Sequence, residues 1–165
     1  MMNEISQKIL KILEDDSRRT ANEIADILGV DKKTVEESIE KLEESGIIVK
    51  YTTVINKEKI VPDLVDALVE VKVTPQARQG FEKIAQEISM LKEVKGVYLM
   101  SGTFDFAVML EGSTMRDVAL FISERLSTIE SVVGVATHFI LKKYKEGGAL
   151  LVDFNDDNKR ILVHE

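Results

Sequence analysis

The sequence predicts an α+β chain: an N-terminal winged helix-turn-helix followed by a ferredoxin-like βαββαβ module. Three observations predict it. Apolar residues recur at helical spacing through the first 45 residues, interrupted at two short breaks. Alternating or β-branched runs appear at 64–74, 94–100, 104–110 and 132–144. Helical stripes at 76–91 and 114–126 separate the first of these runs from the second, and the third from the last.

In chain order, Ile5, Ile9, Leu10, Ile12 and Leu13 place one apolar face on a helix over 3–15, which Asp15-Asp16-Ser17 ends. Thr20, with Glu23 three residues on, has the form of a capping box. It opens a second helix with apolar positions Ile24, Ala25, Ile27 and Leu28, and Gly29 suits its left-handed C-terminal position. Asp31 reads as the N-cap of a third helix running to about Glu44, with Val35, Ile39 and Leu42 inward and Ser45-Gly46 as its end. Ile47-Ile48-Val49 and Tyr51-Thr52-Thr53-Val54-Ile55 are expected to be the two strands of a hairpin wing. The turn Gly29-Val30-Asp31 is short enough to force a large interhelical angle, the helix-turn-helix arrangement. A plain trihelical packing module is the alternative that spacing alone leaves open.

The chain divides near residue 60, with Pro62 fitting a linker. Leu68, Val69, Val71 and Val73 mark a strand ended by Pro75. The helix from Gln76 to Leu91 carries Phe81, Ile84, Ala85 and Ile88 on one face. A strand from Val94 to Met100, bent at Gly96, joins one from Phe104 to Leu110 through Ser101-Gly102-Thr103. Thr114 caps a helix with Val118, Phe121, Ile122 and Leu126 inward, and Val132 to Tyr144 is a last long strand. The expected units are a DNA-binding module at 1–60, a ferredoxin-like module at 61–146 and an extension at 147–165, with short strands at 149–154 and 161–163. Helices on one face of such a sheet leave the other in need of cover, which a second copy's sheet would supply.

Composition narrows the chemistry. The chain has 165 residues, 44% hydrophobic and 31% charged, an ordinary globular balance. Without cysteine there is no disulfide, thiolate metal site or cysteine nucleophile, and two histidines leave little material for a triad or a metal centre. No catalytic residue, metal ligand or cofactor is therefore assigned. Of the two, His138 is expected to pack on the last strand or face a pocket, and His164 to be solvated. No apolar run approaches the roughly 18 residues of a membrane span. The opening Met1-Met2-Asn3-Glu4 runs into an acidic amphipathic pattern and not a signal peptide, so the expected location is cytoplasmic. The net charge of -7 excludes an indiscriminate basic nucleic-acid binder.

Residues in both halves resemble the Lrp/AsnC (feast/famine) transcription regulators. The resemblance is carried by Ile9-Leu10-Lys11-Ile12-Leu13-Glu14-Asp15-Asp16-Ser17-Arg18, Glu23-Ile24-Ala25, Leu28-Gly29-Val30 and Lys41-Leu42-Glu43-Glu44-Ser45-Gly46-Ile47-Ile48. In the second half it rests on Gly102-Thr103-Phe104-Asp105-Phe106, similar to the family's Gly-x-x-Asp turn, and on Val132-Val133-Gly134-Val135-Ala136-Thr137. It implies a winged module that binds double-stranded DNA and a ferredoxin-like module that dimerises and senses a small molecule, usually an amino acid. It also implies dimers that join into tetramers or octamers, with effector pockets near the Gly-x-x-Asp turn. A symmetric dimer would present two recognition helices to half-sites about one helical turn apart.

Residues 1–55 hold eight basic and twelve acidic residues, a net of -4, and Asp31 to Ser45 holds three and six, a net of -3. Family members often carry arginines where this chain has Glu36-Glu37-Ser38. The expected DNA contacts are therefore local. Lys32, Lys33 and Thr34 open the third helix, with Glu37, Ser38 and Lys41 along it. The two lysines either approach the groove or form a solvated helix start, and Glu37 either accepts from a cytosine amine or, the more ordinary case, is a solvated surface glutamate. Arg18, Arg19, the amides starting at Thr20, and Lys50 would reach flanking phosphates. Glu40, Glu43 and Glu44, near the helix end, are expected to point away. For the effector, Asp105 would accept from an α-ammonium or orient its loop; the alternative is a plain hairpin turn with Asp105 bonded to its own backbone. Gly102 would allow a positive φ or close approach, Phe104 lies within the turn, and Ser101, Thr103 and Thr137 would offer hydroxyls. Two other function classes remain: an effector-sensing oligomer that has lost DNA binding, favoured by the acidic third helix, and a sirohaem-decarboxylase-like enzyme, disfavoured by the scarcity of histidine and arginine.

Overall fold

The computed structural model describes residues 3–61, 64–74, 80–112 and 114–154. The chain forms two compact units that part between Ile55 and Asn56.

The first unit holds α1 (Glu4–Asp15), α2 (Ala21–Leu28) and α3 (Lys32–Glu44). Each helix start is fixed by a side-chain cap. Asn3 accepts from the Ser6 N–H, Thr20 and Glu23 form the reciprocal capping box, and Asp31 accepts from the Thr34 N–H. Gly29, at φ 66°, ends α2 in the left-handed conformation that a side chain disfavours. Ile9, Leu13, Ile24, Ala25, Val35 and Leu42 close the core. Ile27, counted among the apolar positions of α2, is instead 56% exposed.

The wing departs from expectation. Residues 47–55 form no strand; the Ile47 and Ile48 N–H groups both turn back to the Leu42 carbonyl, at 2.9 and 3.0 Å, and close the end of α3. Only Lys50 separates the two β-branched runs, less than the two residues a tight hairpin loop needs, and the Ile47 and Ile48 amides of the first run are already spent on the helix end.

The second unit opens on a single 3₁₀ turn (Lys57–Lys59), followed by β1 (Val65–Val73), α4 (Gly80–Ser89), β2 (Val94–Leu99) and β3 (Phe106–Gly112). Next come α5 (Met115–Phe121), continued in π geometry over Ile122–Leu126, and β4 (Val132–Ile140). The antiparallel four-stranded sheet has the order β2-β3-β1-β4, the split βαββαβ arrangement. Pro75 and the expected start of α4 at 76–79 lie outside the described residues, as does the expected strand at 161–163. Ala67, Val69, Val71, Phe106, Val108 and Leu110 face Ile84, Ile88, Val118 and Phe121, so both helices cover one sheet face. Gly112 is required by packing: a Cβ there would stand 2.7 Å from Val118 Cγ2. The register shift between Val94 and Gly96 is the expected bend of β2.

β4 ends at Ile140, earlier than the run to Tyr144 suggests, because its last partner on β1 is Asp66. The chain then makes a small hairpin, β5 (Lys145–Glu146) with β6 (Ala149–Leu150), turned on Gly147-Gly148. This part of the extension packs on its own module. Asn56 Nδ2 donates to the Leu151 carbonyl at 2.7 Å, the Leu151 N–H donates to the Tyr144 carbonyl, and the Phe154 ring lies parallel to Tyr144 at 6.2 Å.

The caps give the first unit a defined acid response. Hydrogen bonds from the Thr34 hydroxyl and amide hold Asp31 below its ordinary 3.8, and those from the Thr20 amide and hydroxyl hold Glu23 below 4.5. A depressed carboxylate adds stability that is complete above the unfolded value and is lost as pH falls through the folded one. The midpoint of urea unfolding of the first unit is expected to hold from neutrality to about pH 5 and to fall below the ordinary carboxylate values. Asp31→Asn, which keeps an N-cap acceptor without the titrating charge, should flatten part of that fall; circular dichroism between pH 2.5 and 7 measures it.

Candidate functional site

Burial along α3 decides which residues can meet a partner. Val35, Ser38 and Leu42 are buried and Ile39 half-buried, so at 100° per residue the outward line is Lys33, Glu37, Glu40 and Glu44. Two expectations change here. Ser38 is only 9% exposed and its hydroxyl donates to the Thr34 carbonyl at 2.7 Å, which removes it from any base contact. Glu40 and Glu44 do not point away but share the outward line, while Glu43 sits at its flank and accepts from the Tyr51 hydroxyl at 2.7 Å. Desolvation, and then the Glu43 carboxylate, push the Tyr51 phenol up to about 12.

The remaining expected DNA-contact residues differ in how they are engaged. Lys32 pairs with Glu36 at 3.0 Å and Lys33 with Glu37 at 3.8 Å. Thr34 donates its hydroxyl to Asp31 at 2.6 Å. Arg18 and Arg19 lie 3.5 and 3.7 Å from Asp16, Arg19 also 3.6 Å from Glu23, and Thr20 is occupied by its capping box. Lys41 and Lys50 are exposed with no ion pair among the described residues. The bond between Glu43 and Tyr51 had no sequence signal, since it joins positions eight apart across a break in the helix.

The turn between β2 and β3 is held at three points. The Met100 N–H donates to the Asp105 carbonyl at 2.8 Å, the Asp105 N–H to the Val71 carbonyl at 3.0 Å, and the Val73 N–H to Asp105 Oδ2 at 2.8 Å. Asp105 thus ties the turn to the end of β1. Ser101, Gly102 and Thr103 are exposed and Phe104 and Asp105 half-buried. Gly102 has no left-handed φ, and a Cβ there would meet nothing within 4 Å, so neither expected reason for a glycine operates inside this chain. Thr137 is not brought to the turn. It pairs with Val69 on β1, whereas Phe106 pairs with Val71. Strand spacing and rise then separate Thr137 from Asp105 by about 14 Å. His138 lies on the helix-free sheet face, with Nε2 3.2 Å from Glu70 Oε1. A cavity of about 250 Å³ sits at the other end of β3, lined by Glu93, Leu110, Gly112, Phe121 and Arg125.

Comparison with known proteins assigns both units. Residues 2–49 match the winged helix-turn-helix DNA-binding family and residues 66–150 the Lrp/AsnC ligand binding domain. The chain is 42% identical over 163 residues to YugG of Bacillus subtilis (strain 168), described as an uncharacterized HTH-type transcriptional regulator, covering 98% of each. It is 31% identical over 145 residues to the HTH-type transcriptional regulator FL11 of Pyrococcus horikoshii, covering 88% of this chain and 93% of that one. In fold it is similar to the transcriptional regulator NMB0573 of Neisseria meningitidis, solved as a complex with L-Met, with a TM-score of 0.72 at 20% identity over 88% of this chain and 94% of that one. A reader of DNA joined to a ligand-binding domain is a transcriptional regulator, and both matched domains are regulatory and not catalytic. The chain belongs to the Lrp/AsnC family. No described helix is long and apolar enough to cross a membrane.

Proposed function

We propose that this regulator reads a specific duplex sequence with the N-terminal half of α3 and answers to an amino acid held at the turn 101–105, working in the cytoplasm as a homo-oligomer. The observation that carries the effector reading is the turn itself. Asp105 braces it against β1, and its exposed backbone at Ser101-Gly102-Thr103 is left uncovered by any side chain at 102. Amides in such a turn suit an α-carboxylate, and the turn also carries Ser101, Thr103 and Phe104. The L-Met complex of the Neisseria meningitidis regulator supports an amino acid as the ligand class.

Assembly follows from the sheet. Register places Leu68, Tyr98, Ala107, Met109, Ala136 and Ile140 on the face without helices, beside the Glu70–His138 pair. A second copy's sheet is the cover proposed for that face, and pairs of such dimers would build the tetramer or octamer. On the DNA, Lys32, Lys33 and Lys41 would work from α3, with Arg18, Arg19, the amides after Thr20, and Lys50 on flanking phosphates.

The test is selection of genomic fragments by the full-length protein with and without each amino acid, followed by gel-shift titration at 50 and 200 mM salt. Affinity should fall at least about tenfold over that salt range, which two phosphate contacts alone require, and one amino acid should shift the selected set. A second reading rests on the acidic outward line of α3: an effector-sensing oligomer without DNA binding. Failure to retain any duplex at 50 mM salt, with an amino acid still raising the melting temperature, would establish it.

A further inference from the structure

The outward line of α3 restricts which bases it can read. Of its hydroxyls, Thr34 is committed to Asp31 and Ser38 is buried on the Thr34 carbonyl. On the outward line of the N-terminal half only an ammonium, Lys33, and a carboxylate, Glu37, remain. Their mutual bond is loose: 3.8 Å between side chains that are 83% and 52% exposed, with lysine on the N-terminal side, the weaker order for such a pair. Both groups can turn to a partner at little cost.

A carboxylate only accepts hydrogen bonds. Between two rows of phosphates it needs a donor to offset the repulsion, and in the major groove the cytosine N4 amine is its standard partner. A lysine donates to guanine O6 and N7. One helical turn separates the two Cα atoms by about 6 Å along the axis, close to two base-pair steps. We propose that Glu37 is the specificity-determining residue of α3, accepting from the N4 amine of a cytosine while Lys33 donates to a guanine within two base pairs of it. The inference rests on the DNA-binding reading above and adds the identity of the base.

The experiment is selection of the full-length protein on a random duplex library, then competition binding of wild type, Glu37→Gln and Glu37→Ala on the selected site and its single-pair variants. Wild type should prefer C·G at one pair by roughly 5- to 150-fold over the other pairs. Glu37→Gln should move that preference toward A·T, since an amide pairs with adenine N6 and N7, and Glu37→Ala should erase it there alone. Melting temperatures should not change, because Glu37 is exposed. If both variants bind every sequence more tightly with base preference intact, Glu37 is a solvated repulsive charge and the inference is overturned. If wild type retains no duplex at low salt, the DNA-binding reading itself fails, a different result from retained binding with unchanged preference.

Discussion

Phe106→Ala should destabilise the second unit by about 3–5 kcal/mol, the usual cost of emptying a fully buried aromatic site. Phe106 is 1% exposed, opens β3 and meets the Phe81 ring edge-on at 5.9 Å. It packs in the core of the second unit against Phe81 of α4. The core of the first unit contains none of the same residues. Urea unfolding followed by far-ultraviolet circular dichroism should therefore show the second unit's transition moved down by about 2 M, at a typical slope of 1–3 kcal/mol per molar urea, with the first unit's transition in place. An equal displacement of both would show that the cores are coupled.

Asp105→Ala should cost about 1–3 kcal/mol and abolish any amino-acid response. The Val73 N–H, at a position only 8% exposed, loses its acceptor at 2.8 Å, and an unpaired buried donor carries its full desolvation penalty. Asp105→Asn separates the two roles. Its amide oxygen still accepts from Val73, so most of the stability should return, but the charge that would face an α-ammonium is gone. Thermal shift with the twenty amino acids reads both effects. A full ligand-induced shift in the Asn variant would mean that Asp105 braces the turn and does not bind.

The helix starts were readable because capping is local. Thr20 with Glu23, Asp31 and Thr114 each act on an amide three residues away, and all three cap as expected. Strand ends were not, because they depend on the partner and the turn: β4 stops at Ile140, opposite Asp66 near the start of β1, and the two runs in 47–55 have only Lys50 between them, too little for a hairpin loop. At the candidate site, Ser38 carried a usable signal. Its spacing from Val35 and Leu42 puts it on the inward stripe, but its polarity argued for the surface. Thr137 carried none, since strand periodicity gives a face and not the level at which a neighbouring turn arrives.

The two hydrophobic centres have no residue in common, and the outward residues of α3 belong to neither. Substitutions at 33, 37, 40 and 44 can therefore accumulate without disturbing the scaffold that displays them. In a lineage of such proteins, the promoters a copy visits and the metabolite it answers to can be inherited, exchanged and selected as separate traits.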